Sequence, residues 1–347
     1  MSGLRVAIIG CGLIGAKRAA ALAPDDELLA CYDVNERAAQ GLSERYGASA
    51  CASVEELLAS HPDVVLVATV HDQLAGLTER ALQAGAHVLV EKPAGVSTAQ
   101  IDRLIECQHA SGHLVKVGFN HRFYPGIARA AEEVHGGDHG ELMHLRARYG
   151  HGGRVGYERE WRADPARSGG GELIDQGMHL LDLSHWLAGP LELHSALLRT
   201  QFWDTQVEDN AALILGEARS RTGPWAMLHV SWTEWKNLFS LEVYCRTAKI
   251  QVDGLARSYG PQRVRIFKMG PELGPPEVEE ISYPDEDRSW EREWESFSWA
   301  ISAADEGLLN GGLNDARYAW VQVEAAYAAG PYARMREAVQ AREAVTP

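Results

Sequence analysis

Apolar and polar positions fall into two regimes along the chain. Leu4–Ile9 is an apolar run broken only by Arg5, the pattern of a strand buried on both faces. An Ala-rich helix follows, and the alternation then recurs. It predicts strand Glu27–Tyr32, helix Glu36–Tyr46, a short strand near Ser49, helix Val54–Ser60, strand Asp63–Ala68, helix Gln73–Ala84, strand His87–Val90, helix Ser97–Ala110 and strand Leu114–Gly118. Such strand and helix blocks in turn predict a parallel sheet with helices on both sides. After a helix at Ile127–Val134 the period becomes two: Met143, Leu145, Ala147 and Tyr149 share one strand face, and His144, Arg146 and Arg148 the other. Further strands are expected at Leu191–Arg199, Ala211–Leu215, Trp225–Glu234, Phe239–Cys245, Lys249–Val252 and Val264–Lys268. Long helices do not separate the later ones, so a largely antiparallel sheet is expected. Ser289–Ala303, Asp315–Ala329 and Tyr332–Glu343 have helical periodicity and are expected to pack back on earlier parts of the chain. The fold class expected is α/β, with a parallel-sheet domain over residues 1–121 and a second α/β domain over 122–347.

Composition narrows the function classes. At 347 residues with 46% hydrophobic content the chain can bury two cores without staples. A formal charge of -15 argues against a general nucleic-acid binder, which needs clustered Lys and Arg. The five cysteines (Cys11, Cys31, Cys51, Cys107 and Cys245) are scattered, with no CxxC pair, which fits reduced thiols better than a disulfide frame or a zinc site. No cleavable-signal layout or long uncharged apolar span is evident, so a cytoplasmic protein that does not enter the membrane is expected.

The first strand runs directly into Gly10-Cys11-Gly12-Leu13-Ile14-Gly15, the glycine turn of a dinucleotide-binding Rossmann domain. Gly10 permits the tight turn, Gly12 lets a pyrophosphate approach the backbone, and Gly15 allows close helix packing. Leu13 and Ile14 open the helix whose N terminus faces the phosphates. The second strand ends at Asp33, 18 residues after Gly15, where a carboxylate can take the adenosine ribose hydroxyls. That acid disfavours a 2'-phosphate, so NAD is expected, with NADP as the alternative because Arg37 is nearby. Two segments end later strands: Thr69-Val70-His71 and Glu91-Lys92-Pro93. Ligands gather at such ends, which makes Thr69, His71, Glu91, Lys92 and, at the next strand end, Asn120 candidate cofactor contacts. An ammonium at Lys92 would polarise a carbonyl or steady an alkoxide during hydride transfer.

In the second domain the stretch from Gly169 to Asp182, read as helix, sets Asp175, His179 and Asp182 on one strip, with the apolar Ile174, Met178 and Leu181 beside it. A carboxylate next to an imidazole can hold a proton near neutral pH. The Gly- and Arg-rich segment His151–Gly171 is expected as a long loop lining the cleft. Arg122, Tyr149, Arg154 and Trp161 are candidate substrate contacts, with Trp203, Asp209, Asn210, Trp232 and Lys236 as weaker ones, since aromatic faces and fixed hydrogen-bonding groups suit polyhydroxylated rings. A metal site from His179, Asp182 and His185 is a poor alternative, because the two histidines point about 120° apart on a helix. No metal is expected.

The glycine turn, Glu91-Lys92-Pro93, Gly118-Phe119-Asn120-His121-Arg122 and the Gly-rich run to Asp175 and His179 occur in a fixed order. Together they resemble the glucose-fructose oxidoreductase, inositol dehydrogenase and rhizopine-catabolism protein (Gfo/Idh/MocA) family, nearly end to end. The resemblance implies a Rossmann domain followed by an α/β domain with a largely antiparallel sheet, whose open face supports homodimers or homotetramers. It implies Lys92, Asp175 and His179 as catalytic groups, one from the first domain and two from the second, meeting at a cleft. It further implies an NAD(P)-dependent dehydrogenase acting on a sugar, cyclitol or nucleotide sugar. Thr69-Val70-His71 departs from the Thr-Pro-Asn of many members. The alternatives are an NAD-binding sensor without turnover, and an NAD-retaining elimination or glycoside cleavage through a transient ketone.

Overall fold

Strands β1 (Arg5–Ile9) and β4 (Val64–Val67) sit side by side in a parallel sheet, and all but Arg5 of their residues are buried, as their unbroken apolar runs require. The computed structural model describes residues 3–217, 220–272 and 274–343. The chain divides into two units. The first runs to Asn120 and includes Trp290–Arg317; the second comprises His121–Ser289 and the chain from Tyr318 onward.

The first unit adds α1 (Leu13–Ala20), β2 (Glu27–Tyr32), α2 (Glu36–Tyr46), β3 (Ser49–Ala50), α3 (Val54–Leu58), α4 (His71–Gln83), β5 (His87–Val90), α5 (Thr98–Ser111) and β6 (Val115–Val117). Its six strands are parallel in the order β3-β2-β1-β4-β5-β6. Ile9 pairs with both Tyr32 and Val67, so Gly10, Asp33 and Ala68 emerge together at the carboxyl ends of the strands, where the strand order reverses. Helix α2 is capped by Asn35, whose side chain accepts from the Arg37 N–H, and ends at a left-handed Gly47; α5 is capped by Ser97. The N terminus of α1 has no side-chain cap.

Helix α10 (Ser289–Ala303) contributes Trp294, Phe297 and Ala300 to the core of this unit, against Val6, Ile8 and Leu66. Trp294 Nε1 donates to Asp26 Oδ2 at 2.7 Å. The same helix buries Glu293, which takes Arg18 at 2.6 Å and the fully buried Lys116 at 3.1 Å, while Arg18 also donates to Glu91 at 2.7 Å. Each charge in this set has an opposite partner, the condition under which buried charge is tolerated.

The second unit contains α6 (Pro125–Gly136), β7 (Leu142–Gly150), α7 (Pro165–Ser168), α8 (Glu172–Asp175), α9 (Gly177–Ala188), β8 (Glu192–Arg199), β9 (Asn210–Gly216), β10 (Trp225–Ser231), β11 (Leu238–Cys245), β12 (Ala248–Asp253), β13 (Arg263–Lys268) and β14 (Glu277–Ser282). Helices α11 (Leu313–Ala328) and α12 (Ala333–Glu343) end the described chain. The eight strands run β14-β13-β12-β11-β7-β10-β9-β8, all antiparallel except the β7–β10 pair. Leu145, Ala147, Leu228, Val230, Leu241, Val243, Ile250 and Val252 are buried, and α9 packs on β7 and β10 while α6 packs on β12 and β13.

Three features differ from the sequence-based expectation. The Gly169–Asp182 stretch is two helices rather than one, α8 and α9, joined at Gln176. The segment His151–Gly171 folds two short 3₁₀ turns, Tyr157–Arg159 and Trp161–Ala163, as well as α7. Strand β14, Glu-Val-Glu-Glu-Ile-Ser, pairs only at the sheet margin and shows too little apolar alternation to be read as a strand. Among the described residues no helix is long and apolar enough to cross a membrane.

Candidate active site

In the first unit the glycine turn is dictated by close approach. Gly10 has φ +98°, and a Cβ there would lie 2.4 Å from the Ala68 carbonyl oxygen; a Cβ on Gly15 would lie 1.9 Å from the Gly10 oxygen. A Cβ on Gly12 would meet nothing within 4 Å, so that glycine faces open space at the N terminus of α1. An uncapped helix start behind an open glycine fits an anionic pyrophosphate. Leu13 is 76% exposed beside it. Asp33 braces the turn: one carboxylate oxygen accepts the Cys11 N–H at 2.7 Å and the other the Asn35 N–H at 2.8 Å. Each oxygen retains acceptor capacity suited to ribose hydroxyls. These features fit a dinucleotide, which would be held by the backbone of Gly12, Leu13 and Ile14 and by Asp33.

The other first-unit candidates are spread around the strand ends. Arg37 is exposed on α2, Thr69 Oγ1 donates to the Val70 carbonyl oxygen at 3.3 Å, and His71 is buried as the first residue of α4. Glu91 spends its carboxylate on Arg18, a bracing role. Lys92 follows β5, half-buried, and Asn120 is buried at the end of the unit.

In the second unit the Gly-rich run holds α8 in place. A Cβ on Gly170 would lie 2.1 Å from Tyr327 Oη, and one on Gly171 2.0 Å from the Glu208 carbonyl oxygen. The Glu208 carboxylate accepts the Leu173 N–H at 3.0 Å, the Gly171 N–H at 3.3 Å and the Tyr327 hydroxyl at 2.8 Å. Burial pushes this carboxyl up to about 7, against those hydrogen bonds, which favour the charged form. Gly177 then allows α9 to start tightly, and the His179 N–H donates to the Gln176 carbonyl oxygen at 3.1 Å.

Helix α9 presents His179, 6% exposed, to an aromatic wall. Its ring stacks on His121 with centroids 3.7 Å apart, and Tyr149 meets it edge-on at 6.3 Å. Tyr149 in turn packs against Tyr259 and Phe239, and burial holds its hydroxyl well above the usual range. Gln176 Nε2 donates to Tyr259 Oη at 3.2 Å.

Asp175, at the end of α8, lies 3.2 Å from Arg162 Nε, and ligand atoms of Asp175, Glu172 and His151 all lie within 4.8 Å of one another. Burial lowers the His151 pKa, with Asp175 working the other way. Burial also works against the Arg162 charge, but Asp175 and its other acidic neighbours leave the pKa of that group raised. The structure thus gathers Tyr149, Asp175 and His179 in one unit, and adds His121 and Glu172, which lie in the motifs without standing out there, and His151 and Arg162, which lie outside them. Arg122 is held by Asp182, with Nε 2.9 Å from Oδ2, in a buried pair. His185 stacks instead on Tyr318 at 4.0 Å, so the His179, Asp182 and His185 set is dispersed to separate partners. Arg154 is exposed and paired with Glu160, and Trp161 lies beneath the Arg162 guanidinium at 4.6 Å. Trp232 is fully buried with Tyr157 and Val207, and Asp209 accepts the Gln201, Phe202 and Trp203 N–H groups, so both are structural.

A family model described as "Oxidoreductase family, NAD-binding Rossmann fold" matches residues 4–119, and one described as "GFO/IDH/MocA C-terminal domain" matches residues 127–251. The chain is similar to D-glucoside 3-dehydrogenase of Escherichia coli K12, 34% identical over 54% of this chain and 55% of that protein. It is also similar to levoglucosan dehydrogenase of Pseudarthrobacter phenanthrenivorans, 25% identical over 65% of this chain and 61% of that protein. The chain thus spans little more than half the length of these relatives. Among solved structures, levoglucosan dehydrogenase in complex with NADH shares the fold at TM-score 0.84 and 17% identity, covering 96% of this chain and 98% of that one. GenD2 from gentamicin A biosynthesis, in complex with NAD, superposes at TM-score 0.79 with 25% identity, covering 95% and 94%.

Proposed function

Because the chain belongs to the GFO/IDH/MocA family of oxidoreductases, we propose that it is an NAD(P)-dependent dehydrogenase for a secondary hydroxyl of a sugar, cyclitol or nucleotide sugar. The observation that carries this reading is His179, an imidazole buried against aromatic rings on the helix that directly follows Asp175. Such a group can take a hydroxyl proton at neutral pH without competition from water. The relatives' names, a glucoside and a levoglucosan dehydrogenase, point to polyhydroxylated rings as the substrate class.

A nicotinamide held by the first unit would supply the hydride acceptor for alcohol oxidation and the hydride donor for the reverse reaction. His179 takes the proton as the hydroxyl O–H bond breaks and gives it back on reduction. Asp175 favours the charged form of that imidazole, and Arg162 holds the carboxylate in place. Lys92 supplies an ammonium for the developing alkoxide. Asp33 selects NAD over NADP by repelling a 2'-phosphate, and Asp33→Ala would relax that choice.

Homodimers or homotetramers form through the open face of the eight-stranded sheet. That face carries the partly exposed Trp225 and Met227 beside Arg146, Arg148 and Glu242, a mixed apolar and charged surface of the kind that associates. Light scattering of the purified protein measures the assembly. The experiment for the reaction is a panel of inositols, free sugars, glycosides and nucleotide sugars with NAD and with NADP, followed by the absorbance of the reduced nicotinamide. Reduction with at least one polyhydroxylated alcohol is expected. Tight NAD binding with no reduction across the panel would favour a sensor, and product formation with only catalytic NAD a cofactor-retaining reaction.

A further inference from the structure

His121 opens the second unit from within the 3₁₀ turn Asn120–Phe123 and is 4% exposed. Its ring lies almost parallel to that of His179, with an interplanar angle of 25° and centroids 3.7 Å apart. Tyr149 at 5.1 Å, Tyr124 at 5.5 Å and Phe239 at 6.1 Å close the remaining sides. Five elements thus hold one pair of imidazoles: the 3₁₀ turn with His121, α9 with His179, α6 through the preceding Tyr124, β7 and β11.

Two imidazoles in face contact behave differently from two isolated ones. If both carried a proton, two cations would face each other inside an aromatic box with little water to screen them. With one proton, the neutral ring offers its π face to the charged ring, which stabilises that state. Groups with this degree of coupling titrate as a pair in separated steps. The ionisable groups on the packed elements do not remove the coupling. Burial raises the pKa values of Tyr149, Tyr124 and Tyr259 and keeps these hydroxyls neutral. Arg122 is neutralised by Asp182. Asp175 and Glu172 of α8, near His151 and Arg162, supply negative charge that favours a first proton on the pair.

We propose that His121 is a positioning residue for the reaction assigned above, fixing the ring plane of His179 so that the two imidazoles together hold a single proton. In alcohol oxidation the substrate O–H bond breaks, its proton joins the pair, and the carbinol hydride leaves to the nicotinamide. In reduction the same proton returns to the alkoxide oxygen. The neutral pair is thus the base and the singly protonated pair the acid. This role rests on the reading of His179 as the acid–base group.

The test uses the full-length, NAD-saturated protein and two substitutions. His121→Phe keeps a flat ring to stack but cannot titrate; His121→Leu removes the stack. The histidine Cε1–H signals are followed by NMR against pH, with His179→Gln identifying the His179 signal. The wild type is expected to show His179 shifting in two steps separated by more than about one pH unit, and His121→Phe a single step. In steady-state assays His121→Leu loses about tenfold to a hundredfold in kcat with KM within about threefold, and His121→Phe recovers most of the loss. A single His179 step with the same midpoint in wild type and His121→Phe overturns the paired role and leaves His121 as packing only. So does wild-type kcat in His121→Leu. If no alcohol on the panel reduces NAD, the dehydrogenase reading fails while the NMR arm still reports on the pair. A one-step titration in an active enzyme defeats the paired role alone.

Discussion

The two units differ in what they bury beside matched charges. In the first, Arg18 and Lys116 are each matched by a carboxylate, Glu91 or Glu293, so these buried charges are fixed. The second also matches Arg122 with Asp182, but adds a buried carboxyl raised to about 7, a stacked imidazole pair and a partly buried His151, Glu172 and Asp175 cluster. The contrast matches the division of labour proposed above. A unit that presents backbone N–H groups to a dinucleotide needs a rigid frame, whereas a unit that exchanges a proton needs groups whose protonation states lie close in energy.

The largest effect expected from breaking this contrast comes from Arg18→Met. It leaves Glu91 short of its cation and Glu293 with only Lys116, at a cost of about 3–5 kcal/mol. Denaturant unfolding combined with hydrogen exchange resolved by peptide should show the loss in peptides of the first unit, including Trp290–Arg317.

Next comes Glu208. Its folded pKa is raised from 4.5 to about 7, so the folded state keeps a proton that the unfolded state has released. Below about pH 4.5 both states are protonated and the group costs nothing. As pH rises from there to about 7 stability is lost, by roughly 3 kcal/mol for a fully buried group, and it stays lost above. Glu208→Gln removes this slope, so its stability relative to wild type should rise between about pH 5 and pH 8.

His87 in the first unit carries the opposite sign. Burial, and then the nearby His113, lower its pKa from 6.5 to about 4. The folded state therefore refuses a proton that the unfolded state accepts, and stability is lost as pH falls from about 6.5 to about 4. With its partial exposure the effect is on the order of 1 kcal/mol. Hydrogen exchange across this range should show the first unit loosening in acid, a change absent from His87→Asn.

The same contrast explains what could be read from the sequence. The dinucleotide features sit in one contiguous stretch, β1 to α1, with Asp33 closing β2, and their chemistry lies in the backbone; the motif announces them. Lys116 read only as a residue in an apolar strand, because its partner Glu293 arrives with α10 from the far end of the chain. The second unit's strands were legible from alternation wherever one face was apolar, and β14 was missed where it was not. Asp175 and His179 stood out by spacing, yet the break at Gln176 was hidden because both flanks are strongly helical. His121 was visible in its motif but not its stack, which depends on β7 and α9 folding over the 3₁₀ turn. Glu208, the brace of α8, carried no local signal at all.

In the function proposed above, the first unit binds the dinucleotide while His179 of the second moves the substrate proton. Single-turnover hydride transfer and NAD affinity, measured together on His179→Ala with the best alcohol from the panel, test it most directly. NAD affinity within about threefold of wild type and hydride transfer slower by at least about a hundredfold are expected. Hydride transfer at the wild-type rate would contradict it.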